Sequence, residues 1–166
     1  LEEGEKVVNT ICTSEFPEDR YLTFCTRNGL MKRTSLALYS NIRVKGIKAI
    51  KMDEGDVLIE TSITADDDQV IIATANGLAA RFDCSEVRAT GRDTMGVKGI
   101  TLNEGDSVVS MAVVRPGDRL LTVSEFGYGK ISDVDDYRHI RRGGKGVITL
   151  KTDERNGKVV GVRKVN

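Results

Sequence analysis

Gly96-Val97-Lys98-Gly99-Ile100-Thr101-Leu102-Asn103-Glu104-Gly105-Asp106 repeats Gly46-Ile47-Lys48-Ala49-Ile50-Lys51-Met52-Asp53-Glu54-Gly55-Asp56 without a gap, fifty positions on. A third copy, Gly146-Val147-Ile148-Thr149-Leu150-Lys151-Thr152-Asp153-Glu154, follows fifty positions later and gains two residues before Gly157. A second landmark recurs in step: Thr26-Arg27-Asn28-Gly29, Thr74-Ala75-Asn76-Gly77 and Ser124-Glu125-Phe126-Gly127. A period of this length marks an array in which one supersecondary unit recurs and neighbours share a core, a propeller or a solenoid.

Working outward, each unit opens with an acidic turn and an apolar strand: Glu3-Gly4-Glu5 then Val7-Val8, Glu54-Gly55-Asp56 then Val57-Leu58-Ile59, Glu104-Gly105-Asp106 then Val108-Val109. Runs rich in β-branched and aromatic residues follow, at 21–26, 69–74 and 119–124, each ending at a glycine turn that marks a hairpin. Returning strands are expected at 30–34, 78–82 and 128–132, and another short strand after each of Gly46, Gly96 and Gly146. No long stretch has a clean helical period, so helix is limited to single turns near Ser35–Tyr39 and Asp133–Tyr137. Four short strands per unit is the arithmetic of a propeller blade. The expected fold is all-β, a propeller-like array of four-stranded antiparallel blades at about 4–54, 55–104 and 105–156. Residues 157–166 would be the first strand of a following blade, at an exposed end of an open crescent.

The chain of 166 residues has two prolines, no low-complexity tract and no run of apolar residues long enough to span a membrane. Cys12, Cys25 and Cys84 have no paired spacing, which fits reduced thiols in a cytoplasmic protein, each packed as a small core residue.

Charge balances at 25 basic and 25 acidic residues, which by itself disfavours a nucleic-acid binder. The distribution reverses that inference. Arg43, Lys45, Lys48 and Lys51 fall in a window with no acid until Asp53. Arg88, Arg92 and Lys98 have Asp93 alone among them. Arg138, His139, Arg141, Arg142, Lys145 and Lys151 form a third window free of acids. The three windows share one phase of the repeat, so they are expected to line one continuous edge, with Asp66-Asp67-Asp68 and the acidic turns elsewhere. Such a stripe on a neutral protein can bind a polyanion. A solvated loop on each unit is the alternative.

The densest cluster is Ile140-Arg141-Arg142-Gly143-Gly144-Lys145-Gly146. Its arginines and lysine offer forked donors and charge to phosphate oxygens, and its glycines permit close backbone approach. It lacks the hydroxyl of a nucleotide-binding loop, and a plain turn would also account for its glycines.

These features together resemble a known family. The Asn28-Gly29-Leu30-Met31-Lys32-Arg33-Thr34 hairpin, Ala73-Thr74-Ala75-Asn76-Gly77, Val87-Arg88-Ala89-Thr90-Gly91-Arg92 through Ile100, Gly127-Tyr128-Gly129-Lys130, Lys145-Gly146-Val147 and Glu154-Arg155-Asn156-Gly157 resemble the C-terminal DNA-wrapping domains of DNA gyrase A subunits. The resemblance implies a β-pinwheel of about six blades in the full domain, whose blades exchange strands with their neighbours. It implies a role in bending duplex DNA around a basic rim so that a type IIA topoisomerase introduces negative supercoils. Ile140–Gly146 matches the family's Gln-Arg-Arg-Gly-Gly-Lys-Gly box at six of seven positions, Ile140 standing in place of Gln. The related domain of topoisomerase IV is the close alternative.

The partners implied are duplex DNA, the remaining domains of the same gyrase polypeptide and the ATPase-bearing B subunit, in a cytoplasmic, nucleoid-associated setting. Open sheet edges add end-to-end self-association. No catalytic residue, metal site or cofactor is expected in this chain. His139 lies among bases with no partner set for catalysis, and Tyr21, Tyr39, Tyr128 and Tyr137 are read as packing or stacking residues. A protein-docking propeller is the reading from another class, but it gives no reason for basic windows locked to one phase.

Overall fold

Tyr21–Thr26 (β1) and Leu30–Ser35 (β2) form the first hairpin of a computed structural model that describes residues 3–165. Leu58–Thr64 (β3) lies on the other side of β1, and Val97–Lys98 (β6) pairs with the outer edge of β2. The second sheet repeats this with Gln69–Thr74 (β4), Leu78–Asp83 (β5), Val108–Val114 (β7) and Val147–Ile148 (β10), in the order β10-β5-β4-β7. The third holds Arg119–Ser124 (β8), Gly129–Asp133 (β9) and Val159–Val165 (β11). All ladder pairs between these strands are antiparallel.

The sheets therefore do not coincide with the sequence units. Each takes its hairpin from one unit and its further strands from later chain, two in the first and second sheets and one in the third. β3, which opens the second unit, completes the first sheet. β11, expected to start a following blade, instead closes the third sheet on β8 and packs against β7. The central strands meet in series, β3 on β7 and β7 on β11. The third sheet has three strands rather than the expected four, because the outer strand comes from the strap of the next unit and no described residue fills that place.

Two cores lie between the sheets. Cys25, Met31, Val70, Ile72, Phe82 and Met111 fill the first, and Ile71, Ala79, Val114, Leu120, Tyr137 and Val162 the second. β4 packs on both faces, so its Val-Ile-Ile-Ala run is continuously apolar where a one-sided strand would alternate. Cys25 and Cys84 are buried free thiols, and burial drives both upward in pKa, Cys84 to about 12. Cys12 is exposed, against the expectation that all three would pack inside. Single 3-10 turns occur at Leu36–Tyr39 and Val134–Asp136, close to the expected places, and also at Cys84–Glu86. Among the described residues no helix is long and apolar enough to cross a membrane.

The landmarks of the repeat are the joints between sheets. Gly29, Gly77 and Gly127 all have φ between +82° and +85°, as the tight hairpins require. Asp56 of the acidic turn accepts the N–H of Asn28 at 3.0 Å, and Asp106 accepts that of Asn76 at the same distance. The acidic turns at 54–56 and 104–106 thus each cap the hairpin of the preceding unit.

Candidate nucleic-acid interface

The second and third basic windows are straps that clasp the preceding sheet. From the 3-10 turn at Cys84–Glu86, the chain first runs parallel to β2, with Thr90 N–H donating to the Arg33 carbonyl at 2.9 Å. It then loops and returns antiparallel as β6. The third window does the same on β5, with Ile140 N–H on the Arg81 carbonyl at 2.9 Å before β10. Gly96 and Gly146 sit where β6 and β10 begin. A Cβ on Gly96 would lie 2.8 Å from the Met31 carbonyl oxygen, and one on Gly146 would lie 2.6 Å from that of Ala79. The phase-locked glycines at these two positions are there for backbone contact.

Two arginines that sequence reading passed over rivet these straps. Arg33 is buried, donates through Nε to the Val87 carbonyl at 2.8 Å, pairs with Asp66 and stacks over Tyr21. Arg81 donates to the carbonyls of Val134 and Tyr137 and pairs with Asp135. Their shared place in the hairpin, the same position on the returning strand after the glycine turn, was the available signal. Lys32 is buried as well, and its Nζ donates to the Ala49 carbonyl at 2.6 Å and to that of Arg92, tying the first two windows together.

The straps also join one another. Lys51 N–H donates to the Thr94 carbonyl at 3.0 Å, linking the first window to the second. Thr101 N–H donates to the Gly144 carbonyl at 3.0 Å and Gly143 N–H to that of Gly99 at 2.8 Å, linking the second to the third. The three windows are thereby one continuous band across the sheets, as their common phase implied.

Within the band the side chains divide. Arg43, Lys45, Lys51, Arg88, Lys98, Arg138, Arg141, Lys145 and Lys151 are exposed. Arg92 is half-buried and lines a cleft with Arg43, Lys48 and Asp93. Lys48 pairs with Asp93 at 3.3 Å, and His139 Nε2 sits 3.0 Å from the Asp83 carboxylate. Arg142 turns inward: its Nε donates to the Glu86 carbonyl at 3.1 Å and its Nη1 to that of Lys98 at 2.6 Å. Of the Ile140–Gly146 box, the side chains that reach solvent as free charges are Arg141 and Lys145. Ile140 packs on the first core, and the three glycines hold the turn.

The tyrosines divide too: Tyr39 and Tyr137 are buried, while Tyr128 is exposed beneath Arg155. Asp66, Asp67 and Asp68 are not a free acidic turn. Asp66 holds Arg33, and buried Asp68 holds Arg115 at 2.9 Å.

The sequence profile described as "DNA gyrase C-terminal domain, beta-propeller" matches residues 20–64, 68–115 and 118–166. The DNA gyrase A subunit of Clostridium acetobutylicum is 50% identical over 165 residues, covering 99% of this chain and 20% of that protein. Its counterpart in Deinococcus deserti is 47% identical over 170 residues, covering 99% and 21%. The chain thus spans about a fifth of the length of these relatives. Among solved structures, a C-terminal domain of DNA topoisomerase IV superposes with a TM-score of 0.92 at 27% identity, covering all of this chain and 52% of that one. A DNA gyrase A C-terminal domain gives 0.89 at 30% identity, covering 100% and 56%.

Proposed function

The chain belongs to the DNA gyrase C-terminal domain family, and from that premise we propose that it is a non-catalytic module that binds duplex DNA along its strap band and bends it. The observation that carries this reading is the joining of three basic windows, strap to strap, into one rim. Phosphates spaced along a duplex meet charges spaced along the rim, and contact without base recognition suits a surface that must follow any sequence. Arg43, Lys45, Lys51, Arg88, Arg92, Lys98, Arg138, Arg141 and Lys145 are the proposed contacts, with Lys151 at the margin. Lys48 and His139 join only by exchanging Asp93 and Asp83 for phosphate. Arg142 supports the rim from behind.

In the parent protein, a type IIA topoisomerase of the gyrase kind, the bent duplex would bias strand passage toward negative supercoiling. Its proposed partners there are the remaining domains of the same polypeptide and the ATPase-bearing B subunit, in a cytoplasmic, nucleoid-associated setting. This role asks for no cofactor. End-to-end association of the array through its open edges is a further proposed contact.

The test is binding to a random-sequence duplex across a salt series. With about 4–8 phosphates neutralised, log K should fall against log salt with a slope of roughly −4 to −7, from an affinity on the order of micromolar. A ligated circle should gain a linking-number change when the chain is bound during closure. Binding with no salt dependence would remove this reading and favour a protein-docking propeller.

A further inference from the structure

Two lysine positions of the strap are each taken once by a long apolar side chain left in solvent. The repeat aligns the straps. Lys45 and Lys145 hold one position in the first and third straps, and Met95 holds it in the second. Lys48 and Lys98 hold another, and Ile148 holds it in the third. Met95 is 42% exposed and Ile148 is 68% exposed. We propose that Met95 and Ile148 pack against the deoxyribose walls of the minor groove, and that these contacts make the band select DNA over an RNA duplex. The inference rests on the proposed binding of duplex DNA to the band and names what that band discriminates.

The exposure belongs to the positions. Met95 stands in the middle strap. The first strap is bonded to its neighbour Thr94 through the Lys51 N–H at 3.0 Å, and the third is bonded beyond it through Thr101. Both flanking straps are in place, and the side chain still reaches water. Lys98, the counterpart of Ile148, is likewise exposed although Arg142 of the third strap donates to its carbonyl at 2.6 Å. Asp93, two residues before Met95, pairs with Lys48 at 3.3 Å, so its charge is balanced where a polyanion would approach.

Lone exposed apolar residues are ordinary. These two differ in being set among cations: Arg88, Arg92 and Lys98 share the second strap with Met95, and Arg141, Lys145 and Lys151 flank Ile148. A duplex drawn onto those charges is brought onto Met95 and Ile148 as well. Against a phosphate, an apolar side chain only strips water from an anion. Against the minor groove of DNA it meets the carbon of deoxyribose, and apolar side chains are among those that DNA-bending proteins place in that groove. In A-form RNA the same groove is wide and displays 2′-hydroxyls. Covering these with methionine or isoleucine removes their water and returns no hydrogen bond. The lysines of the other straps favour neither duplex, because phosphates are common to both.

The test compares a random-sequence DNA duplex with the RNA duplex of the same sequence across a salt series. Met95→Gln and Ile148→Thr should each weaken DNA binding by roughly 3–10-fold, as a few methylene groups return to water. RNA affinity and the slope of log K against log salt should stay as in the wild type. The double variant should lose most of the preference for DNA. Lys98→Ala gives the contrast, with a slope reduced by about 1 and both duplexes weakened alike. Val160→Thr, at an exposed apolar residue of β11 beside Ile59 and Val109, should change neither affinity nor slope. Unchanged melting curves check that each variant keeps the fold. Variants that bind DNA as the wild type does, that lose DNA and RNA in equal measure, or that lower the salt slope would overturn the inference and leave the DNA-binding band standing. A wild-type chain with no salt-dependent binding to DNA would overturn the band itself, and this inference with it.

Discussion

Arg142 is bound to Glu86 twice: its backbone N–H donates to the carboxylate at 3.0 Å and its Nε to the carbonyl at 3.1 Å. The third strap is thus fastened to the turn from which the second one starts. Arg142→Ala should lower stability by roughly 1–3 kcal/mol, since charge-assisted bonds to partly buried groups are lost. It should leave the salt slope of DNA binding nearly unchanged. Arg141→Ala with Lys145→Ala should do the reverse, with little change in melting and a slope reduced by about 2, one phosphate contact each. Urea melts and salt titrations on the two variants check this.

Gly77 and Gly127 share a left-handed φ, +85° and +82°, and differ in their surroundings. A Cβ on Gly77 would lie 2.1 Å from the Leu150 carbonyl oxygen, while one on Gly127 would meet nothing within 4 Å. Gly127→Ala should cost about 1–2 kcal/mol, the left-handed backbone penalty. Gly77→Ala should exceed it by roughly 1–3 kcal/mol, because backbone must also shift. Equal losses for the two variants in thermal denaturation would contradict the packing of Leu150 on the second hairpin.

Burial pushes the Lys32 ammonium down to about 8, against a smaller upward pull from Asp93. Below that value both folded and unfolded chains hold the proton, and the penalty of burying the charge is fully present. Between about 8 and the ordinary lysine value of 10.5 the unfolded chain binds more protons, so this group makes the fold more stable as pH rises. Urea midpoints at a series of pH values spanning that window should show an upward contribution that Lys32→Met removes.

Asp68 accepts the Ala65 N–H at 2.8 Å and two bonds from Arg115, while its neighbour Asp67 is exposed. Asp68→Asn should destabilise the chain by about 1–2 kcal/mol through the weakened turn and the lost ion pair. Asp67→Asn should stay within about 0.5 kcal/mol of wild type. Chemical denaturation of the two single variants separates them.

Much of this protein was determined by the order of its residues alone. The period of fifty, the glycine hairpins and the β-branched runs follow from local rules, because turn geometry and strand alternation depend on near neighbours. Equal phase implied equal place, which put the basic windows on one band. What only the tertiary structure decided is which chain segments share a sheet and which charges are free. β11 could be assigned to the third sheet, rather than to a following blade, only once its partner β8 was placed in space. Arg141 and Arg142 are identical in type and adjacent in sequence, yet one faces solvent and the other binds Glu86 and Lys98, 56 and 44 residues away. Arg33 and Arg81 likewise become rivets through contacts with turns more than fifty residues on. A charge reads the same in sequence whether it meets water or a carbonyl, and long-range packing chooses between them.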